Sequence, residues 1–333
     1  MKKIYYVLGF LLLIPSIISA HVKWFVDSEE VIKTSHGTNV FYSWQSKEVI
    51  IWSLIVLVTV FIFSLIDRRI KEPQKLAEFG VRNENKINRI SQVVLGLFLI
   101  SVSFLWKIII IPEIGVEGVF TMILQYVQVL IGLMFVFNLK PRLASMMLMI
   151  FCIGLIFSNG FVAFLENMIL FTLALYFYII HSKEDSFIYK KLNIHAVELV
   201  RIGTGVSLIV LAFTEKLLYP ELSLSFLQVH QWNFMEGIFP WFTDNLFVLS
   251  TGFAEMIFGI LFIFGYITRV TTILIALFFA MSVTTMLVQF GAWEVEDLVV
   301  YSAAILFLFF GHGKTKFFHL MWPKSKLQNS IIN

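Results

Sequence analysis

Hydrophobic positions in this chain fall in long unbroken runs, and the short polar stretches between them carry most of the charge. The runs lie near 49–66, then 90–111, 120–137, 143–157 and 164–180, then 202–218, 246–264, 270–287 and 298–310. A hydrocarbon core about 30 Å thick asks for about 20 apolar residues in a helix. The pattern therefore predicts an all-α polytopic membrane protein with nine transmembrane helices: one leading helix and two groups of four. Residues 1–20 read as a cleavable signal peptide. Lys2 and Lys3 form the basic start, 4–18 is apolar, and Ile18-Ser19-Ala20 is a cleavage site of small residues. An extracytoplasmic segment, 21–48, precedes the leading helix, 49–66, and a cytoplasmic tail, 314–333, ends the chain.

The two groups of four, 86–182 and 196–313, are one unit written twice. Gln128, Gly132, Phe135, Phe137 and Arg142 fall on Glu255, Gly259, Phe262, Phe264 and Arg269 at a constant offset of 127 (255 − 128). Glu166, Asn167, Ala174 and Phe177 fall on Glu296, Asp297, Ala304 and Phe307 at 130 (296 − 166). With small gaps, Arg89 matches Arg201, Lys107 matches Lys216 and Pro112 matches Pro220. The second copy turns Trp106 into Glu215, Gln128 into Glu255 and Asn167 into Asp297. It also has 35 positions from Pro220 to Glu255 where the first has 16 from Pro112 to Gln128, an insert of 19 residues (35 − 16). That insert has no Lys or Arg but is dense in aromatics, which suit the membrane–water boundary. It predicts a lid over the second copy formed by His230, Trp232 and Trp241, together with Trp293 from beyond the insert.

Basic residues give an orientation. With the mature N-terminus outside, the inner loops hold Arg68, Arg69, Lys71, Lys75, Lys140, Arg142, Lys183, Lys190, Lys191 and Arg269, and the cytoplasmic C-terminal tail holds four more lysines. The outer loops hold almost none, which is the positive-inside asymmetry of a bacterial inner-membrane protein. Composition agrees with this class: the chain is 59% hydrophobic and 14% charged, where soluble domains carry roughly a quarter charged residues. The net charge of +3 is spread between apolar runs, so it points to the lipid bilayer and not to nucleic acid. Cys152 is the only cysteine, which excludes an internal disulfide and a dithiol relay within this chain.

Ionisable residues inside a membrane are costly, roughly 2–3.5 kcal/mol each on insertion scales, and tend to mark function. Glu255 lies mid-helix between Gly252 and Gly259, three and four positions away on the same face, so it points at a neighbouring helix. It reads as a proton carrier or pocket acid, or as a structural hydrogen bond between helices. Gln128 at the matching position shows that a neutral polar group suffices for packing. Lys216, beside Glu215, has Glu255, Glu296 and Asp297 as candidate partners. Lys107 beside Glu166 in the first copy suggests instead a structural Lys–Glu pair common to both. Trp293, Glu296 and Asp297 cluster at the start of the last helix, where acids either cap the helix dipole or join one polar pocket made by Glu215, Lys216, Glu255, Glu296 and Asp297.

No histidine lies mid-membrane, so haem b held by two histidines is not expected. Cleavage after Ala20 would leave His21 as the mature N-terminus, whose amine and imidazole suit Cu(II) as a metal site. Phosphate-binding glycine loops and Ser/His/Asp nucleophile signatures are absent from the sequence.

Through Arg201-Ile-Gly, Glu215-Lys216-Leu217 with Pro220, and Gly252-Phe-Ala-Glu255 with Gly259, Gly265 and Arg269, the second copy resembles the DoxX family of small four-helix membrane proteins. The first copy resembles it more weakly, through Gly96, Lys107, Pro112, Gly132 and Arg142. The resemblance implies a membrane subunit associated with redox work, since relatives include the membrane partner of thiosulfate:quinone oxidoreductase. The leading expectation is a quinone-facing or partner-binding subunit of a redox system, with quinone as cofactor and a redox protein as partner. The resemblance does not define an active site or make the chain itself an enzyme. A solute carrier or receptor using Glu255 as its proton site, and a copper-handling protein acting through His21, are the other two readings.

Overall fold

The computed structural model describes residues 46–70, 73–230, 233, 235–290, 295 and 297–313. The signal peptide, His21, Trp232, Trp293, Glu296 and the tail lie outside the described residues. Among the described residues, the regular structure is helical apart from one small hairpin. In order come α1 (Lys47–Arg69), α2 (Gln74–Arg82), α3 (Glu84–Ser101), the hairpin strands β1 (Ile108–Ile109) and β2 (Ile111–Gly115), α4 (Val119–Val136), α5 (Pro141–Glu166), α6 (Met168–Ile180) and α7 (Phe187–Leu192). There follow α8 (Ala196–Ala212), α9 (Pro220–His230), α10 (Asp244–Phe264), α11 (Thr268–Phe290) and α12 (Leu298–Phe310).

Among the described residues, six helices are long and apolar enough to cross a membrane: Lys47–Arg69, Glu84–Trp106, Val119–Val136, Pro141–Glu166, Ala196–Leu217 and Asp244–Phe264. This marks an integral membrane protein. The remaining apolar helical stretches are shorter: Met168–Ile180, Thr268–Ala280 and Leu298–Phe310. At 1.5 Å per residue, a 13-residue helix such as α6 covers about 20 Å, less than a full hydrocarbon core. It is short because α5 runs on to Glu166 across a break at Gly160, whose φ of 86° and ψ of 174° are outside the helical region.

The leading helix packs through one narrow stripe. Val49, Val56 and Phe63, seven apart, are buried against Leu249, Phe253 and Ile257 of α10, and Trp52 stacks on Phe253 at 6.4 Å. Its other faces expose Leu54, Leu57 and Phe61, as suits a helix bathed in lipid. At its end, Asp67 Oδ1 accepts from the Ile267 amide at 2.9 Å and ties α1 to the α10–α11 turn.

Within each half, the first helix meets the second where both lack side chains. A Cβ on Gly96 would lie 2.7 Å from the Gly132 carbonyl oxygen, and one on Gly205 would lie 2.5 Å from that of Gly259. An arginine then clamps each pair. Arg89 donates to the carbonyls of Phe135 and Val136, and Arg201 donates to those of Phe262 and Ile263, the same positions 127 residues on. The fourth helix closes on the second through Phe135–Phe177 at 5.8 Å and Phe262–Phe307 at 5.2 Å. At the turn, Arg142 donates to the Tyr178 hydroxyl, and Arg269 to the carbonyls of Leu308 and Phe309.

The halves join crosswise, the first helix of each packing on the last helix of the other. On the α3–α12 side, Ser91 and Ser302 exchange hydroxyl-to-carbonyl hydrogen bonds at 2.8 and 2.9 Å. On the α6–α8 side, Thr172 presses on Gly203, while Ser207 accepts from the Ile169 amide at 2.9 Å.

Gly205→Val and Gly259→Val should each lower stability by about 1–3 kcal/mol or more, because the new side chain meets backbone and not a movable tip. Gly154→Ala, where a Cβ meets nothing within 4 Å, should be neutral or slightly stabilising. Thermal unfolding of the purified variants in detergent checks both, and equal losses at Gly205 and Gly154 would contradict the packing argument.

A buried acid–base triad as the candidate functional site

The second half interrupts α8 before the expected end of its span. After Ala212 the chain makes a π-helical turn, Phe213–Leu217. Such turns carry an extra residue and are frequent at functional sites. Here the wider turn changes the outcome for two adjacent residues. On an α-helix Glu215 and Lys216 would diverge by about 100°, yet both are turned inward and each is only 1% exposed. Lys216 Nζ lies 2.9 Å from Glu255 Oε1 and donates to Oε2 at 3.0 Å, while Glu215 Oε2 is 3.7 Å away.

The local sequence makes this possible. On α10, Gly252, Glu255 and Gly259 share the face turned to α8 and its π-turn. A Cβ at Gly252 would lie 2.9 Å from a Leu217 methyl and 3.1 Å from Lys216 Cβ, so the glycine lets the turn pack closely on the helix. Ser223, on α9, donates to the Glu215 carbonyl at 2.8 Å and satisfies a group that the π-turn frees from the helix ladder. Sequence reasoning missed Ser223; its place three residues after Pro220, in the first turn of a new helix, is the only signal that could have found it.

An ammonium between two carboxylates leaves one formal negative charge in a water-poor site. An isolated buried charge costs several kcal/mol, which only close pairing and hydrogen bonding can offset. Lys216 supplies that pairing to Glu255 at hydrogen-bond distance and to Glu215 at 3.7 Å.

The matching region of the first half is built differently. It too ends its first helix in a π-turn, Val102–Trp106, but Lys107 then takes a left-handed backbone (φ 52°) and is exposed. Lys107 and Lys216, which match in the sequence, thus differ in burial. Gln128 serves backbone instead: its amide oxygen accepts from the Ile110 amide at 3.0 Å and its nitrogen donates to the Leu99 carbonyl at 3.1 Å. The cause is chain length. With only 16 positions from Pro112 to Gln128, the chain returns through the β1–β2 hairpin, and the Ile110 amide of that hairpin is what Gln128 accepts from.

The aromatic insert folds as α9 and a following loop. Leu222, Phe226, Leu227 and Phe242 bury themselves against Phe247 and Val248 in a small core of their own. Trp241, expected in the lid, is 66% exposed and packs at a tilt against Phe239 and Phe242 at 5.6 and 5.7 Å. It therefore forms the outer surface of the insert, and Phe226 and Phe242 supply its buried contacts. His230 ends α9. Asp297 is the N-cap residue of α12, 1% exposed and without a side-chain cap hydrogen bond. It belongs to an element other than those that carry the triad. Among the described residues, no group of three or more His, Cys, Asp and Glu side chains could hold a metal ion.

Comparison with models of protein families, with curated proteins and with solved structures finds no match.

Lys216→Met, which leaves two buried carboxylates without their cation, should cost about 3–5 kcal/mol. Adding Glu255→Leu in the same chain should recover part of that loss, since the pair is then removed together. Denaturant unfolding of wild type, both single variants and the double variant measures the coupling. Strict additivity would mean that Lys216 and Glu255 do not stabilise one another.

Proposed function

We propose that this chain is a nine-span inner-membrane protein with its mature N-terminus outside, in which two tandem DoxX-like four-helix units follow a leading helix. The three shorter helices would complete the count of nine, and the basic ends Arg68-Arg69, Arg142 and Arg269 would face the cytoplasm. Recurrence of the glycine contact, the arginine clamp and the phenylalanine pair at the repeat offsets supports the tandem reading.

The second unit is the working half: a quinone-facing or partner-binding membrane subunit of a redox system, in which the triad exchanges the proton that accompanies quinone reduction. One observation carries this reading. Glu215, Lys216 and Glu255 form a closed charged cluster where the first half, on the same scaffold, uses neutral Gln128 and backbone. The resemblance to DoxX proteins supplies the redox setting, and a two-electron reduction of quinone consumes two protons that must reach it from somewhere. Extraction of the purified protein should yield bound quinone. Glu255→Gln, which keeps shape and hydrogen bonding but cannot exchange a proton, should slow quinone reduction by the redox system about 10²-fold. Absence of quinone together with an unchanged rate in that variant would overturn the proposal.

A second reading is favoured by the interruption of α8 at the triad, since carriers build their sites where helices break near mid-membrane. Under it the protein moves or recognises a small solute, and Glu255 is the coupling acid. Proton-coupled solute uptake into liposomes, lost in Glu255→Gln, would select this reading over the first.

A further inference from the structure

A cavity of about 240 Å³ lies at the other end of the bundle, where α1 stops. Its polar lining is Asp67, Thr268, Arg269 and His312, and its apolar lining includes Leu76 and Ile273. Its depth follows from α1. A 23-residue helix rises about 34 Å, close to the thickness of a hydrocarbon core, so the end at Arg69 lies at headgroup level. The neighbouring α2 carries exposed Lys75 and Arg82, and Gly80 rests on the Phe309 carbonyl of α12.

Several features of the wall point to a ligand. The cavity opens on the first residues of α11, a 23-residue helix whose N-terminal amides favour negative oxygen. Thr268, only 4% exposed, has a buried hydroxyl with no hydrogen-bond partner. Buried hydroxyls are nearly always satisfied, so this one is suited to an acceptor brought by something that enters the cavity. Arg269, whose Nε and Nη2 donate to the carbonyls of Leu308 and Phe309, adds a positive charge that attracts phosphate oxygens. Asp67 is the counterweight: its carboxylate accepts from the Ile267 amide and would repel a simple anion. The opposite charges of Asp67 and Arg269 on one wall, beside an apolar strip, match a molecule that carries a phosphate, a cation and a hydrocarbon chain.

We infer that this cavity binds the headgroup of a zwitterionic amino-phospholipid. The phosphate is held by Arg269, the Thr268 hydroxyl and the start of α11. The primary ammonium is held by Asp67, and the first carbons of the acyl region lie along Leu76 and Ile273. The site is independent of the Glu215–Lys216–Glu255 triad and of any redox role.

Native mass spectrometry of the full chain in detergent, titrated with phosphatidylethanolamine, phosphatidylcholine or phosphatidylglycerol, tests the proposal. One phosphatidylethanolamine should bind saturably, about tenfold tighter than either of the others, because only its ammonium can donate to Asp67. Asp67→Asn keeps the acceptor for the Ile267 amide but removes the charge, and should erase that preference. Thr268→Val should leave unfolding without lipid unchanged or improved, since no hydrogen bond is lost, while weakening all three lipids several-fold. Excess inorganic phosphate should not displace the bound lipid. Equal binding of the three lipids in wild type, a preference that survives Asp67→Asn, or displacement by phosphate would each overturn the inference.

Discussion

Two helices can touch backbone to backbone only where neither presents a side chain, and the contact between Gly205 and Gly259 sets the geometry of the second half. In lipid there is no hydrophobic gain from bringing helices together, so close van der Waals contact and interhelical hydrogen bonds must hold them. The Arg201 clamp on the carbonyls of Phe262 and Ile263 adds the hydrogen bonds at one end of this contact, and the Gly252–Leu217 approach continues it at the other. Between them the separation of α8 and α10 is fixed tightly enough for Lys216 to reach Glu255 without an intervening water.

The two halves share this frame and use its open end differently. In the first, the end of the helix pair is sealed by a hairpin, and one glutamine amide satisfies both a donor and an acceptor of the backbone there. In the second, extra chain moves the connection aside as α9, and the vacated space receives a side-chain ammonium and two carboxylates. Loop length thus decides whether the same helix pair ends in a neutral plug or in a charged cluster. Small insertions in a connection cost little closure entropy, so such a change is accessible without disturbing the helices.

Much of this was legible in the sequence because hydropathy and small-residue spacing are local signals. The long apolar helices, the repeat offsets and the common face of Gly252, Glu255 and Gly259 need only periodicity. The π-turn was not legible: a one-residue widening leaves no mark on a hydropathy pattern, and it decides that Glu215 and Lys216 both turn inward. The hairpin after Lys107 was missed for a related reason, since 108–111 is as apolar as the helix before it. The arginine clamps were visible only as matched residues, because their acceptors are carbonyls that sequence does not distinguish. Trp241 shows the limit of composition: aromatic density marks out the insert but does not say which ring faces in.

The crosswise joining of the halves has a consequence for the order in which the molecule is made. Ser91 and Ser302, which exchange hydrogen bonds, stand 211 residues apart, and α3 meets α12 only after almost everything between has been synthesised. The first half therefore emerges with one interface open, and that interface closes only once α12 has been made. Contacts so distant along the chain are slow to form, because loop closure must precede them. In this sense α12 is a clasp on α3, and a chain cut short before α12 would lack it.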